Sequence, residues 1–129
     1  MNPTFPLLGR VLISSLFLVA GIRKLMAVAG TTAYLGKLGF PAPEVMVWLA
    51  ILIEVGGGLL LLVGWKTRWI SWVLIVFVGV ATFMAHRFWE ADASQYVAQL
   101  NNFLKNLAVI GGLLMFVAHG AGSASVDKR

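Results

Sequence analysis

Residues 45–63 read VMVWLAILIEVGGGLLLLV, an apolar run whose one charge, Glu54, stands near its centre. At about 1.5 Å of rise per residue, a helix of this length crosses the roughly 30 Å hydrocarbon core of a bilayer. A carboxylate at mid-membrane depth costs about 2.5–3.5 kcal/mol on insertion scales. Glu54 is therefore expected to be turned into the protein and to have a partner, a proton or a task there. The fold class and the candidate site both follow from that expectation.

Outward from this run, the composition agrees. The chain has 129 residues, 60% hydrophobic and 12% charged, where soluble domains average about 45–50% and about 25%. This is the composition of one integral membrane domain, with the lipid bilayer as its main partner. The net charge of +5 sits largely at the ends of apolar runs. Flanking charges of that kind belong to membrane helices, so no nucleic-acid partner is expected. Cysteine is absent, which removes disulfides, thiolate metal sites, iron–sulfur ligation and c-type haem attachment. The chain cannot carry electrons through a dithiol of its own. His86 and His119 fall at opposite membrane ends, and no acid or histidine lies at ligand spacing from His86. Neither a haem nor a metal is expected, and no covalently bound cofactor.

Four runs are long enough to cross: near 7–25, 45–63, 69–85 and 102–119. Short links between them predict an all-α, up-down-up-down four-helix bundle in one domain, with both termini on one side. The first run resembles a signal peptide with a cleavage site at Ala27-Val28-Ala29. Arg23 and Lys24 interrupt it before that site and no basic segment precedes Arg10, so it is expected to be retained. Residues 31–38 mix Tyr34, Leu35 and Leu38 with Lys37, an amphipathic stretch suited to the membrane surface. Gly39 is expected to end it in a left-handed conformation, and Pro41 and Pro43 to turn the chain into the second span. The tail from Gly120 is small and polar and is expected to fray. Arg10, Lys66, Arg68, Lys128 and Arg129 lie on the terminal side; Arg23, Lys24, Lys37, Arg87 and Lys105 lie on the other. That tie nearly silences the positive-inside rule; Lys66 and Arg68, in the tightest loop, favour cytoplasmic termini.

Each span carries small and polar residues at helical spacing: Arg10, Ser14, Phe17, Gly21 and Lys24; Ala50, Glu54, Gly57, Gly58 and Gly64; Ser71, Gly79, Thr82 and His86; Asn101, Lys105, Ala108, Gly112 and His119. In lipid such stripes are where helices pack, so the four are expected to meet at an interior seam. Gly21, Gly57, Gly58, Gly79, Gly111 and Gly112 are expected to be close-packing positions. Arg10 and Lys24 are expected to reach for the interface, and His119 to sit at it. The candidate site is a pocket with Glu54 at its floor and Lys24, His86, Lys105 and Asn106 towards its rim. Burial favours the neutral acid and a nearby lysine favours the carboxylate; the residues alone leave both open. Such a pocket suits a polar head group with an apolar tail, or a proton relay. The plainer alternative is a protonated Glu54 that only ties two helices together.

The ordered set of motifs resembles the DoxX family of small bacterial four-helix membrane proteins. It comprises Ala20-Gly21 with Lys24; Leu38-Gly39-Phe40-Pro41-Ala42-Pro43; Glu54 with Gly57-Gly58-Leu59-Leu60; Gly64 and Thr67-Arg68; His86; the run from Asn102 through Lys105-Asn106 to Ala108; and Gly111-Gly112-Leu113-Leu114. The resemblance implies an inner-membrane protein. The family includes a membrane subunit of a thiosulfate:quinone oxidoreductase and a mycobacterial member that associates with soluble redox enzymes. It implies, as functional positions, Lys24, Glu54, His86, Lys105 and Asn106. Three functions compete. The first is a redox-associated subunit that binds a quinone or lipid beside Glu54 and works with a soluble or membrane redox partner. The second is a small proton-coupled transporter completed by homo-oligomerisation. The third is a non-catalytic scaffold for a partner enzyme. The absence of cysteine assigns any thiol step to a partner.

Overall fold

Glycine and proline set about half of the helix limits in the computed structural model, which describes residues 2–129. Helix α1 (Thr4–Leu25) closes with Arg23 and Lys24 in its last turn, where cations complement the helix dipole. Helix α2 (Val28–Lys37) runs into Gly39 at φ +92°, the left-handed residue expected there. Helix α3 (Pro43–Val63) starts with proline in its first turn beside Glu44. It stops at Gly64, φ +73°, with the paired bonds of a Schellman end: Gly64 N–H donates to Leu60 and Leu61, and Trp65 N–H to Leu60. Helix α4 (Thr67–Ala85) follows at once. A single 3-10 turn, Phe88–Glu90, leads to α5 (Tyr96–His119). Helix α5 begins well before its apolar run, because hydropathy marks the hydrocarbon core and a helix can continue through the interface in polar residues.

Helices α1, α3, α4 and α5 are long and apolar enough to cross a membrane, and there is no strand among the described residues. Neighbours in sequence run antiparallel. Arg10 of α1 reaches Leu62 at the far end of α3, and Gly21 faces Glu54 and Val55. Gly57 of α3 faces Leu74 and Ile70 of α4. Asn106 of α5 bonds Thr82 of α4, and Phe103 packs edge-on to Phe83. The result is a four-helix membrane bundle of up-down-up-down order with both termini on one side. Phe17, Leu61, Leu74, Val78, Leu113 and Phe116 form its core.

Two departures bear on the site. Residues Leu52–Gly56 form a π-helical turn inside α3, around Glu54. The π turn is rare and holds one residue more than the α ladder requires. It shifts the two halves of α3 by about 100° relative to a continuous helix. No α4 Cα lies within 8 Å of Pro43–Ile51, so α3 and α4 join tightly at one end and diverge towards the other.

The tail from Gly120 does not fray. Gly120, Ala121 and Gly122 are buried, and Val126 and Asp127 donate their N–H groups to the carbonyls of Val63 and Gly64 at 3.0 and 2.9 Å. The Asp127 carboxylate accepts from the N–H groups of Lys66 and Thr67, both at 2.9 Å. It thereby caps α4, whose own N-cap offers no side-chain bond. Burial alone would push Asp127 up; these hydrogen bonds outweigh it and hold the group below the usual carboxylate range. Arg10 does not reach for the interface either. It is 1% exposed and donates to the carbonyls of Leu62, at 2.7 Å, and Ala124. It therefore ties α1, the end of α3 and the tail together. The carbonyls of the turn and the tail take one bond from each terminal nitrogen of the guanidinium, while Nε is left without a partner.

The close-packing glycines divide. A Cβ on Gly21 would lie 2.6 Å from Val55 Cγ2, and one on Gly112 would lie 2.8 Å from Ile13 Cδ1. Gly57 and Gly58 are nearly as tight, each 3.0 Å from a leucine side chain. Gly79 and Gly111 have nothing within 4 Å. Each sits one position off the packed face, beside buried Val78 and half-buried Gly112.

Candidate functional site

Where α3 and α4 diverge there is a cleft of about 820 Å³. Its inner wall is Phe17 and Ala20 of α1, its sides are Ile53 and Ala50 of α3 and Phe77 and Val78 of α4, and α2 covers its mouth through Thr31, Tyr34 and Leu38. Trp69, Trp72, Val76 and Val80 line it as well and are exposed on the surface of α4. That surface faces acyl chains in a membrane, so the cleft opens sideways towards lipid. An apolar body with a few converging polar groups is the usual make-up of a small-molecule site.

The polar groups are Lys24, Glu54, His86 and Asn106. Glu54 is 2% exposed, and Lys24 Nζ lies 2.8 Å from its Oε1. No well-aligned hydrogen bond accompanies this contact. The local sequence explains the meeting. Lys24 closes α1, Gly21 lets α1 approach the π turn, and the turn aims Glu54 at α1. The lysine expected to reach for water instead reaches inward, because a buried carboxylate left without a partner is costly.

His86 ends α4, its N–H still bonded to Thr82 at 2.9 Å. Its Nδ1 lies 2.8 Å from Gln99 Oε1. Asn106 donates to Thr82 Oγ1 at 3.0 Å, and that hydroxyl donates to Val78 O at 2.6 Å. The structure thus brings Lys24, Glu54, His86 and Asn106 to one cleft. Lys105 is not among them. It is exposed and points away, because the inward face of α5 runs through Asn106, Val109, Leu113 and Phe116 rather than through Lys105 and Ala108. His119 is exposed at the terminal end.

Three participants escaped sequence reading. Thr82 was visible as a stripe residue but not as the acceptor for Asn106. Gln99 fell in a segment read as a link; starting α5 at Tyr96 would have put Gln99, Asn102 and Asn106 on one face at helical spacing. The third is the π turn itself. Its trace in the sequence is the run Gly56-Gly57-Gly58 directly after the acid. Among the described residues no group of three or more His, Cys, Asp or Glu side chains could hold a metal.

A model of the DoxX family matches residues 5–87, a stretch that contains Lys24, Glu54 and His86. The chain is 30% identical over 129 residues to the inner membrane protein YphA of Escherichia coli (strain K12), covering 99% of this chain and 91% of that protein. It is 35% identical over 124 residues to the inner membrane protein YqjF of the same organism, covering 95% and 88%. It is also 29% identical over 87 residues to a Surfeit locus protein 4 homolog of Schizosaccharomyces pombe, covering 64% of this chain and 29% of that protein. No solved structure matches the chain.

Proposed function

The chain belongs to the DoxX family, and from that premise we propose that it is a bacterial inner-membrane protein that holds a quinone-like or other lipophilic molecule in the cleft beside Glu54, as the membrane part of a redox system. The observation that carries this reading is the pairing of a laterally open apolar cleft with one buried acid and its lysine partner at the inner wall. An apolar molecule enters from the bilayer without crossing water. Its carbonyl or hydroxyl then exchanges hydrogen bonds with Lys24 or Glu54, and Asn106 offers an amide at the same cleft. Glu54 is the group placed to take or give a proton. With no cysteine in the chain, electrons come from a partner protein.

The same reading takes both termini to be cytoplasmic. Burial of Arg10 and the turn of Lys24 towards Glu54 take one cation from each side of the bundle, so Lys66 and Arg68 in the short turn remain the argument for it. A reporter fused to the C-terminus reads this directly.

Trp69 and Trp72 line the cleft, so a bound quinone quenches their fluorescence. Titration of purified protein with short-chain ubiquinone and menaquinone analogues is expected to saturate, and Glu54→Gln is expected to weaken it. Unsaturable quenching, or equal affinity in Glu54→Gln, removes the reading. The second reading is a proton-coupled carrier, favoured by the π turn around the acid. Proton flux in liposomes that survives Glu54→Gln unchanged removes that one.

A further inference from the structure

A second cavity, about 400 Å³, lies beside the cleft on the side opposite the termini. Polar and apolar groups share its lining about equally, where the first is almost wholly apolar. Lys37 comes to it from α2, Arg87, Glu90 and Asp92 from the link after α4, and Gln95 and Gln99 from the start of α5. The two cavities share Leu38 and Ala85 as a common wall. One hydrogen bond spans that wall: His86 belongs to the cleft, Gln99 belongs to the polar cavity, and they meet at 2.8 Å.

We propose that the polar cavity is the aqueous port of the cleft, closed at its inner end by the His86–Gln99 pair, so that the Lys24–Glu54 pair exchanges water and protons with the non-terminal side alone. The chemistry of the pair fits a gate. The facing amide oxygen of Gln99 can only accept, so Nδ1 of His86 carries the hydrogen and the pair closes as a single directed bond. The charged groups of the port are Lys37, Arg87, Glu90 and Asp92, with Arg87 and Glu90 paired at 3.4 Å. On the cleft side His86 shares its space with Lys24, Glu54 and Tyr34.

Inside the bundle the opposite route is shut, and the cleft reaches the terminal half only along the lipid-facing surface at Trp69 and Trp72. Phe17, Leu61, Leu74 and Leu113 are buried between Glu54 and the terminal face. Beyond them the buried Arg10 and the docked tail close that end. The port adds a sided water path to the lipophile-binding reading and rests on it for its use, but its existence is read without any ligand.

The absence of cysteine makes a direct test available. Ala50→Cys places a thiol in the cleft, Gln95→Cys one in the port and Ser14→Cys one behind the leucine layer. Each is labelled in sealed, oriented proteoliposomes with a membrane-impermeant sulfonated thiol reagent. The Gln95 and Ala50 variants are expected to react from the non-terminal side only, and the Ser14 variant from neither. Adding Gln99→Ala to the Ala50 variant is expected to speed its labelling several-fold, with Gln95→Cys unchanged as the control for folding. Reaction of Ala50→Cys from the terminal side overturns the proposal. So does reaction only with a lipid-soluble maleimide, or a rate that ignores Gln99→Ala. Quinone titration of the same variants separates the outcomes: sided labelling without saturable binding keeps the port and removes the ligand.

Discussion

Lys24 and Glu54 set the chemistry at the residue scale. Taking one partner from a buried ion pair strands the other and costs about 3–5 kcal/mol, whereas replacing both with apolar residues is often neutral. Lys24→Met alone is therefore expected to lower stability clearly, and Lys24→Met with Glu54→Met to recover most of the loss while abolishing ligand binding. Unfolding in mild detergent measures all three proteins, and a double variant no more stable than the single would contradict a paired site. The acid could be read from the sequence because it is alone in an apolar run; its partner was read at the right position with the wrong direction. Hydropathy gives the depth of a lysine but not which way it turns, since that depends on a carboxylate supplied by a helix thirty residues on in the chain, by the order of magnitude of one span and its link. Lys105 was misjudged for a related reason. Adjacent residues on a helix point about 100° apart, and polar Lys105 and Asn106 stand side by side, so only packing decides which faces in.

At the scale of the element, the π turn in α3 governs where Glu54 points. Deleting Gly56 removes the extra residue and is expected to let the helix close as a regular α ladder. The first half of α3 would then turn by about 100° relative to the second. Circular dichroism is expected to show unchanged helix content while quinone quenching is lost; retained affinity would show that the turn does not orient the acid. Gly21 is the matching requirement on α1. Gly21→Leu is expected to cost about 1–3 kcal/mol through overpacking against Val55 and Glu54, whereas Gly111→Leu, which meets nothing within 4 Å, is expected to be silent. The spans themselves were legible because an apolar run states its own length. The helix ends were less so, since Tyr96 to Asn101 is helical yet polar, and a π turn leaves no periodic signal of its own.

For the whole molecule, the bundle is fastened at one end and parted at the other. Arg10, the turn at Gly64 and the tail make the fastening, and Asp127 is its titratable part. Because that carboxylate is held below its usual range, its contribution is fully present above the ordinary carboxylate range and is lost as pH falls through the lowered value. Asp127→Ala is expected to loosen the tail already at neutral pH, by about 0.5–2 kcal/mol, the usual cost of a lost cap. Limited proteolysis of the tail against pH measures it: the wild-type tail is expected to become cleavable only in strong acid, and the variant at neutrality. Nothing in the composition of the tail foretold its docking, because small polar residues look alike whether they fray or fill a groove; the partner that orders them, Arg10, lies at the other end of the chain.

All of this depends on the acid being sheltered and facing a space that a lipophile can fill. A side-chain-resolution density map of the protein in quinone-containing nanodiscs tests it most directly. The account predicts elongated density between α3 and α4, in contact with Glu54 and Lys24 at one end. Glu54 turned out among acyl chains, or α3 and α4 packed together with no cleft between them, would contradict it.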